Sequence, residues 1–313
     1  MMTSTVEPPA ALGPLLARDL PAPSTAASDP ADPAPLCDEL ATTHFGLHGI
    51  LSSGFYVPAE AFSDRRPFQP AATASSDNAL PAGLEMAVST RANTAVLLHP
   101  VPAASVQLIA GFLPLTIGLP GLLPLHSVAA DADAKSYLVA TPYGRGSLRE
   151  MLAEWSAIPS PQDLTKLPIR PTDRLILTWA VDVLQLVAAW HARLDLGTLP
   201  EHTAEYLADR VLPLAPANLY INPATLHVQL DVLPLLMDDV DQVDDALSVN
   251  TGLAVEVVQA LVKAMPLLAG NAGDKKQKVE AVCNELSGKV NARQGVEEAL
   301  SKAVDELRTL SKP

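Results

Sequence analysis

The chain has 313 residues, 48% of them apolar, and a formal charge of −14 from 21 basic and 35 acidic side chains. That length allows two domains, or one two-lobed domain with tails, and the acidic balance argues against direct binding to a phosphate backbone. Two cysteines, Cys37 and Cys283, exclude a disulfide scaffold and a cysteine-rich zinc site, while the 29 prolines require long loops or a disordered segment.

Residues 1–35 are rich in Pro, Ala, Ser and Thr without periodicity, which predicts a disordered tail. Glu7, Arg18, Asp19 and three prolines break up the first twenty residues, so no secretory signal is read there. The expected address is the cytoplasm or nucleus, with an assembly inside an organelle left open. In HFGLHGILSSGFYVPAEAF the glycines Gly46, Gly49 and Gly54 stand among β-formers, which suits strands and turns. The polar run from Ser63 to Pro81 predicts a surface loop.

From Gly83 to Val139 short apolar runs alternate with turns. GLEMAVST, TAVLLHP, LLPLHSVAA and SYLVATPY predict strands, the first two joined as a hairpin through Arg91-Ala92-Asn93. ASVQLIAGFLPL fits a short helix. No charged residue occurs from Ala92 to Ala130, long enough nominally to span a membrane. Five prolines interrupt that run and no Lys/Arg cluster flanks it, so buried strands and a helix are favoured over a span.

After Gly146 the pattern becomes helical. Ser147 and Glu150 form a capping box for SLREMLAEW. Thr172 or Asp173 opens a long helix in which Leu175, Trp179, Val183, Leu186 and Trp190 share one face. Its other side is also apolar, predicting burial nearly all round. NLYI and LHVQLDVL read as strands about the turn Asn222-Pro223-Ala224-Thr225. Helices are expected over Ser248–Leu268, Lys275–Val290 and Gly295–Leu310. In the last, Val296, Leu300, Val304, Leu307 and Leu310 form an apolar stripe best docked on its own domain. The sum is an α+β chain with a tail (1–35), a β-rich region (36–141) and a helical region (142–313).

The layout and its local words resemble the protein kinase fold. YLVATPYGRGSLREML (Tyr137–Leu152) is similar to the fifth strand, hinge and following helix of kinases, with Thr141 where an acidic hinge residue is common. LPGLLPL (Leu119–Leu125) is similar to the entry to the fourth strand, and the long helix ending in Trp190-His191 to the helix before the catalytic loop. VLPLAPANLYI (Val211–Ile221) has the shape of "H-R-D-L-K-P-E-N-I-L-I", agreeing at Leu214, Pro216 and Asn218. Thirteen residues later Asp231-Val232-Leu233 stands at the interval of Asp-Phe-Gly, and Asp245-Ala246-Leu247-Ser248 faintly echoes "D-x-W-S". The resemblance implies a bilobal fold with a small β-rich N-lobe and a helical C-lobe. It covers 137–250 best, 45–136 weakly, and nothing before residue 36.

Kinase catalysis needs a lysine on the phosphates, a glutamate to hold it, a base and metal ligands. No lysine precedes Lys135. Met86-Ala87-Val88-Ser89 resembles "V-A-V-K" with Ser89 in the lysine position; an alternative alignment puts His99 there. The helix candidate Ala104–Leu115 has no acidic residue, and Pro213 stands where the base should be. The glycine-rich lid is reduced to Gly54-Phe55-Tyr56-Val57. Asn218 and Asp231 are the residual nucleotide- or metal-binding types. The plainer reading has Asn218 bonding the loop backbone and Asp231 ending a strand at the surface. The Asp-rich stretch Leu236–Asp245 lacks the Gly and terminal Glu of a calcium loop. His44 and His48 have no third ligand, and His191 reads as a helix-end packing residue.

The resemblance therefore implies an inactive pseudokinase, not an enzyme, with no required cofactor beyond a vestigial ATP/Mg site. It would act as a scaffold or allosteric partner of other proteins. Its manner of decay is similar to that of rhoptry-type pseudokinases of parasites, although those are secreted. The alternative is a structural subunit of a large macromolecular assembly with no ligand-binding role.

Overall fold

The computed structural model describes residues 56–58, 61–67, 83–90, 93–102, 113, 119–123, 125–130, 136–140, 147–158, 167, 169–195, 204, 207–222, 224–232, 235, 243–265 and 272–312. The tail 1–35, His44, His48, Gly54-Phe55, Lys135, Thr141, residues 68–81, and Leu236 to Gln242 lie outside them. Of the expected helix Ala104–Leu115 only Leu113 is described, as a helical, fully buried residue.

Among the described residues, eight strands and five helices follow in chain order, strands first and helices after, apart from one late hairpin. The strands are β1 (Tyr56–Pro58), β2 (Phe62–Pro67), β3 (Glu85–Ser89), β4 (Thr94–Val101), β5 (Leu125–Ala130) and β6 (Ser136–Ala140), with β7 (Leu219–Ile221) and β8 (Val228–Leu230) in a separate hairpin. The helices are α1 (Leu148–Ala157), α2 (Asp173–Asp195), α3 (Ala246–Lys263), α4 (Ala272–Ala292) and α5 (Val296–Ser311). The first six strands form one sheet in the order β1-β5-β6-β4-β3-β2, antiparallel except for β1 on β5. The α+β class read from the sequence holds.

Two sequence expectations change. The stretch from Ser63 begins as strand, not loop, because β2 pairs with β3 across a bulge at Asp64, whose φ is 52°. Its hold comes from polar side chains that carry no apolar signal: Arg65 pairs with Glu85 at 2.7 Å and lies 4.7 Å from the centre of the Tyr137 ring. The neutral run Ala92–Ala130 contains β4 and β5 at its two ends.

Alternation along β4 divides its neighbours between two cores. Val96 and Leu98 join Phe62, Ala87, Ala129 and Tyr137 in a small cluster on one face. Leu97 and Val101 face the other way, into the main core shared with the helices. A register shift between Leu125 and Ser127 lets Leu125 and Val128, an odd interval apart, both reach that core.

The main core is centred on α2, whose Trp179, Val183, Val187 and Trp190 are fully buried. From Leu175 to His191 none of its residues is exposed, as its all-round apolar pattern predicts. The helix is long and apolar enough to cross a membrane, yet 56% of its most apolar window is buried inside this fold. The capping box of α1 forms in full: Ser147 Oγ accepts from the Glu150 amide and Glu150 returns the bond to the Ser147 amide. The apolar stripe of α5 is buried on its own domain, with Leu300 and Leu307 at the centre.

Gly121 ties the sheet to the helices. Its φ is 82°, and a Cβ there would stand 3.2 Å from Leu186 Cβ of α2. This close approach lets the Gly121 carbonyl accept from Leu230 N–H at 2.7 Å, while Leu123 N–H donates to the Leu230 carbonyl at 2.8 Å. The approach to β5 is thereby fastened to the end of β8, one residue before Asp231.

Candidate functional site

The loop Val211–Asn218 is fixed from several sides by hydrogen bonds. Within it, tight turns carry Leu214 N–H to the Leu212 carbonyl (2.7 Å), Ala215 N–H to the Pro213 carbonyl (2.8 Å) and Asn218 N–H to the Ala215 carbonyl (2.9 Å). Asn218 Nδ2 donates to the Pro213 carbonyl at 3.0 Å, so this side chain bonds the loop backbone. From α1, Arg149 N–H donates to the Pro216 carbonyl at 2.9 Å, and Ser147 bridges to Tyr220. From the end of β8, Asp231 N–H donates to the Asn218 carbonyl at 2.8 Å. Asn218 and Asp231, thirteen residues apart in the chain, are thus brought together.

Asp231 is not at the surface, contrary to the plainer sequence reading: it is 6% exposed. The reason is the clamp of Gly121 and Leu123 on Leu230, which carries the chain inward as β8 ends. Burial pushes the Tyr220 phenol well above its ordinary range, and the negative charges of Asp231 and Glu150 add to the shift. Pro213 occupies the turn with a carbonyl engaged by Asn218 and Ala215 and with no group that takes up a proton.

The anchor beneath this loop was not legible as a site. Asn250, on α3 and fully buried, accepts from Leu212 N–H at 2.7 Å. That bond fixes the amide orientation, leaving Nδ2 to donate to His191 Nε2 (3.2 Å) and the Arg210 carbonyl (3.4 Å). His191 therefore does sit at a helix end against the interior, with a polar partner. The one sequence signal was the pair Asn250-Thr251 among the apolar residues of the helix's buried face. Asp245, from the faint "D-x-W-S" echo, caps the same helix by accepting from Ser248 N–H at 3.0 Å. A second missed group is Asp182 of α2. It accepts from Val228 N–H (3.0 Å) and contacts His227 Nδ1 (2.9 Å), holding the β7–β8 hairpin on the helix.

On the sheet side, Ser89 closes β3 at the hairpin, opposite Thr94. His99 lies on β4, two residues beyond Leu97 on the same face, and both are fully buried. Burial drives the His99 imidazole down from 6.5 to about 4. The folded chain keeps this ring neutral while the unfolded chain takes up a proton below about 6.5. The contribution is therefore intact above that pH and lost as pH falls toward about 4, at up to about 1.4 kcal/mol per unit. His99→Leu is expected to remove close to one proton from the pH dependence of unfolding between those limits. Urea titrations at half-unit pH steps on both proteins measure this; parallel curves would show that His99 is accessible to solvent.

Leu97 of β4 and Leu84, just before β3, share one continuous apolar core with Leu122, Leu125, Leu148 and the α2 side chains. The space between sheet and helices is thus occupied by protein at these positions. Among the described residues no three or more His, Cys, Asp or Glu side chains gather as a metal-binding group. The arrangement holds the Val211–Asn218 loop by backbone and side-chain hydrogen bonds from α1, α3 and the end of β8. No family model and no curated protein matches the chain.

Proposed function

We propose that this chain is a catalytically inactive pseudokinase: a bilobal, protein kinase-like module acting as an interaction scaffold or allosteric partner of other proteins. The single observation that carries the reading is the complete burial of Leu97 and His99 on β4. Setting the parallel β1 aside, the antiparallel strands β2, β3, β4, β5 and β6 count one to five. The fifth is then the strand of YLVATPY and the fourth follows LPGLLPL, as the resemblance requires. The third strand, which carries the phosphate-binding lysine in an active kinase, is β4. This count favours His99 over Ser89 for the lysine position.

A neutral, buried imidazole there supplies no charge to a phosphate, and Leu97 fills the space beside it. Pro213 removes the base. Asn218 and Asp231 keep their mutual placement, but Asn218 is engaged with the Pro213 carbonyl. Kinase chemistry is chiefly electrostatic stabilisation of a transferring phosphoryl group, and these substitutions remove its positive and proton-accepting parts together.

The test is a phosphotransfer assay with γ-labelled ATP and Mg²⁺ or Mn²⁺, using the monodisperse chain and a generic protein acceptor. The expected result is no label on either protein. Label incorporation that disappears in Asp231→Ala would overturn the reading. A chain that stays soluble only with a co-expressed partner would favour the assembly-subunit alternative.

A further inference from the structure

A carboxamide has one oxygen that accepts hydrogen bonds and one nitrogen that only donates them. Asn250 of α3 is fully buried, and its oxygen accepts from Leu212 N–H at 2.7 Å. Its Nδ2 therefore donates, to the Arg210 carbonyl at 3.4 Å and to His191 Nε2 at 3.2 Å. Turning the amide over to accept from His191 would set N–H against the Leu212 N–H and oxygen against the Arg210 carbonyl. The network thus admits one state of the ring: Nε2 bears a lone pair, and the imidazole is neutral with its proton on Nδ1. His191 lies near the end of α2 and is half-buried, so solvent protons can reach it.

The charges around the ring favour its other state. Asp245 caps α3 by accepting from Ser248 N–H. Hydrogen bonds from Ser248, and then the nearby charges of Arg293 and His191, hold the Asp245 carboxyl below its usual range. Arg193 follows two residues on in α2, and Arg308 of α5 meets α2 further back, at Gln185. Among these groups only Asp245 attracts an imidazolium.

We propose that His191 is a pH-sensitive switch on the Val211–Asn218 loop: neutral, it rests on Asn250; protonated, it turns to Asp245 and releases the Asn250 amide. A proton on Nε2 sets N–H against N–H, and Asn250 relieves this only by giving up Leu212 or Arg210. The anchor beneath the loop is whole while the ring is neutral. As pH falls and the ring charges, Leu212 loosens, and with it Pro213 and the turns that hold Asn218. An imidazole ordinarily charges near pH ~6.5, so the two states divide neutral from mildly acidic solution. The inference stands on these hydrogen bonds and does not rest on the kinase likeness.

The test is amide exchange by NMR on the full chain from about pH 7.5 to about pH 5.5, each rate corrected for the intrinsic pH dependence of exchange. Protection at Leu212 is expected to fall by at least about tenfold across this window, while Val183 and Val187 of α2 stay within about twofold. In His191→Gln the side-chain oxygen can accept from Asn250 and takes up no proton, so protection at Leu212 should stay within about twofold. Asp245→Asn keeps a capping side chain and removes the attracting charge, so the fall at Leu212 should move to lower pH. The ring nitrogen shifts of His191 in the unaltered chain test the switch without a variant. Nε2 should be unprotonated at the upper end and gain a proton in step with the loss at Leu212. A proton on Nε2 at the upper end, a ring that stays neutral to the lower end, or a ring that titrates with no change at Leu212 would overturn the proposal. So would an equal fall in His191→Gln or an equal loss of protection in α2.

Discussion

Trp179→Ala is expected to destabilise the fold by about 3–5 kcal/mol, the range for removing a large aromatic from a packed core. Trp179 is fully buried at the centre of α2, and its ring stacks on Trp155 of α1 with centroids 5.4 Å apart and planes 7° from parallel. Its indole N–H donates to the Leu226 carbonyl at 2.7 Å, in the turn between β7 and β8. One side chain thus joins three elements that lie far apart in the chain. Leu226 itself has a φ of 60° and is 39% exposed, so water can reach that turn once the indole is gone. The larger cost lies in the cavity beside Trp155. Trp179→Phe keeps most of the packing and should cost about 1–2 kcal/mol, the scale of one lost hydrogen bond with some lost area. Urea midpoints at constant m-value measure both. A loss below about 1 kcal/mol for Trp179→Ala would place this ring outside the core.

Asn250→Ala is the second large effect, expected at about 2–4 kcal/mol. The substitution leaves Leu212 N–H without its acceptor in a fully buried position and takes the donor from the Arg210 carbonyl and His191. Buried backbone groups left in this state cost more than the hydrogen bond contributed when made. The loss is local in consequence, because Leu212 adjoins Pro213 and the turns that hold Asn218. Amide exchange at Leu212 should rise by more than that of α2, which keeps its own core contacts. Equal acceleration across the chain would mean that Asn250 supports the whole fold and not the loop in particular.

The elements with strong periodicity were legible in the sequence. The capping box fixed the start of α1, and the all-round apolar pattern of α2 predicted its burial. The turn residues Asn222 and Thr225 marked the β7–β8 hairpin. The pairing of Asn218 with Asp231 was foreseeable only as an interval; the clamp of Gly121 and Leu123 on Leu230 that brings them together is a tertiary contact. Such a contact buried Asp231, which local composition had placed at a strand end on the surface. The β2 strand was hidden because Arg65 and its partners Glu85 and Tyr137 are separated by long stretches of chain. Asn250 was hidden for the opposite reason: a polar residue in an apolar helix is read as a blemish until the amide it receives, 38 positions earlier, is known.

In the proposed reading Leu97 and His99, both fully buried, stand where an active kinase would hold the phosphates, and nucleotide binding tests that most directly. The measurement is a thermal shift of the purified chain with ATP and Mg²⁺ or Mn²⁺, set against metal alone. A ligand that binds the folded state at a hundredfold excess over its Kd adds about 2.7 kcal/mol of apparent stability. No ATP-dependent shift is expected in the folded, monodisperse protein. A clear shift that vanishes in Asp231→Ala would contradict it, and would show that Asn218 and Asp231 still serve a nucleotide.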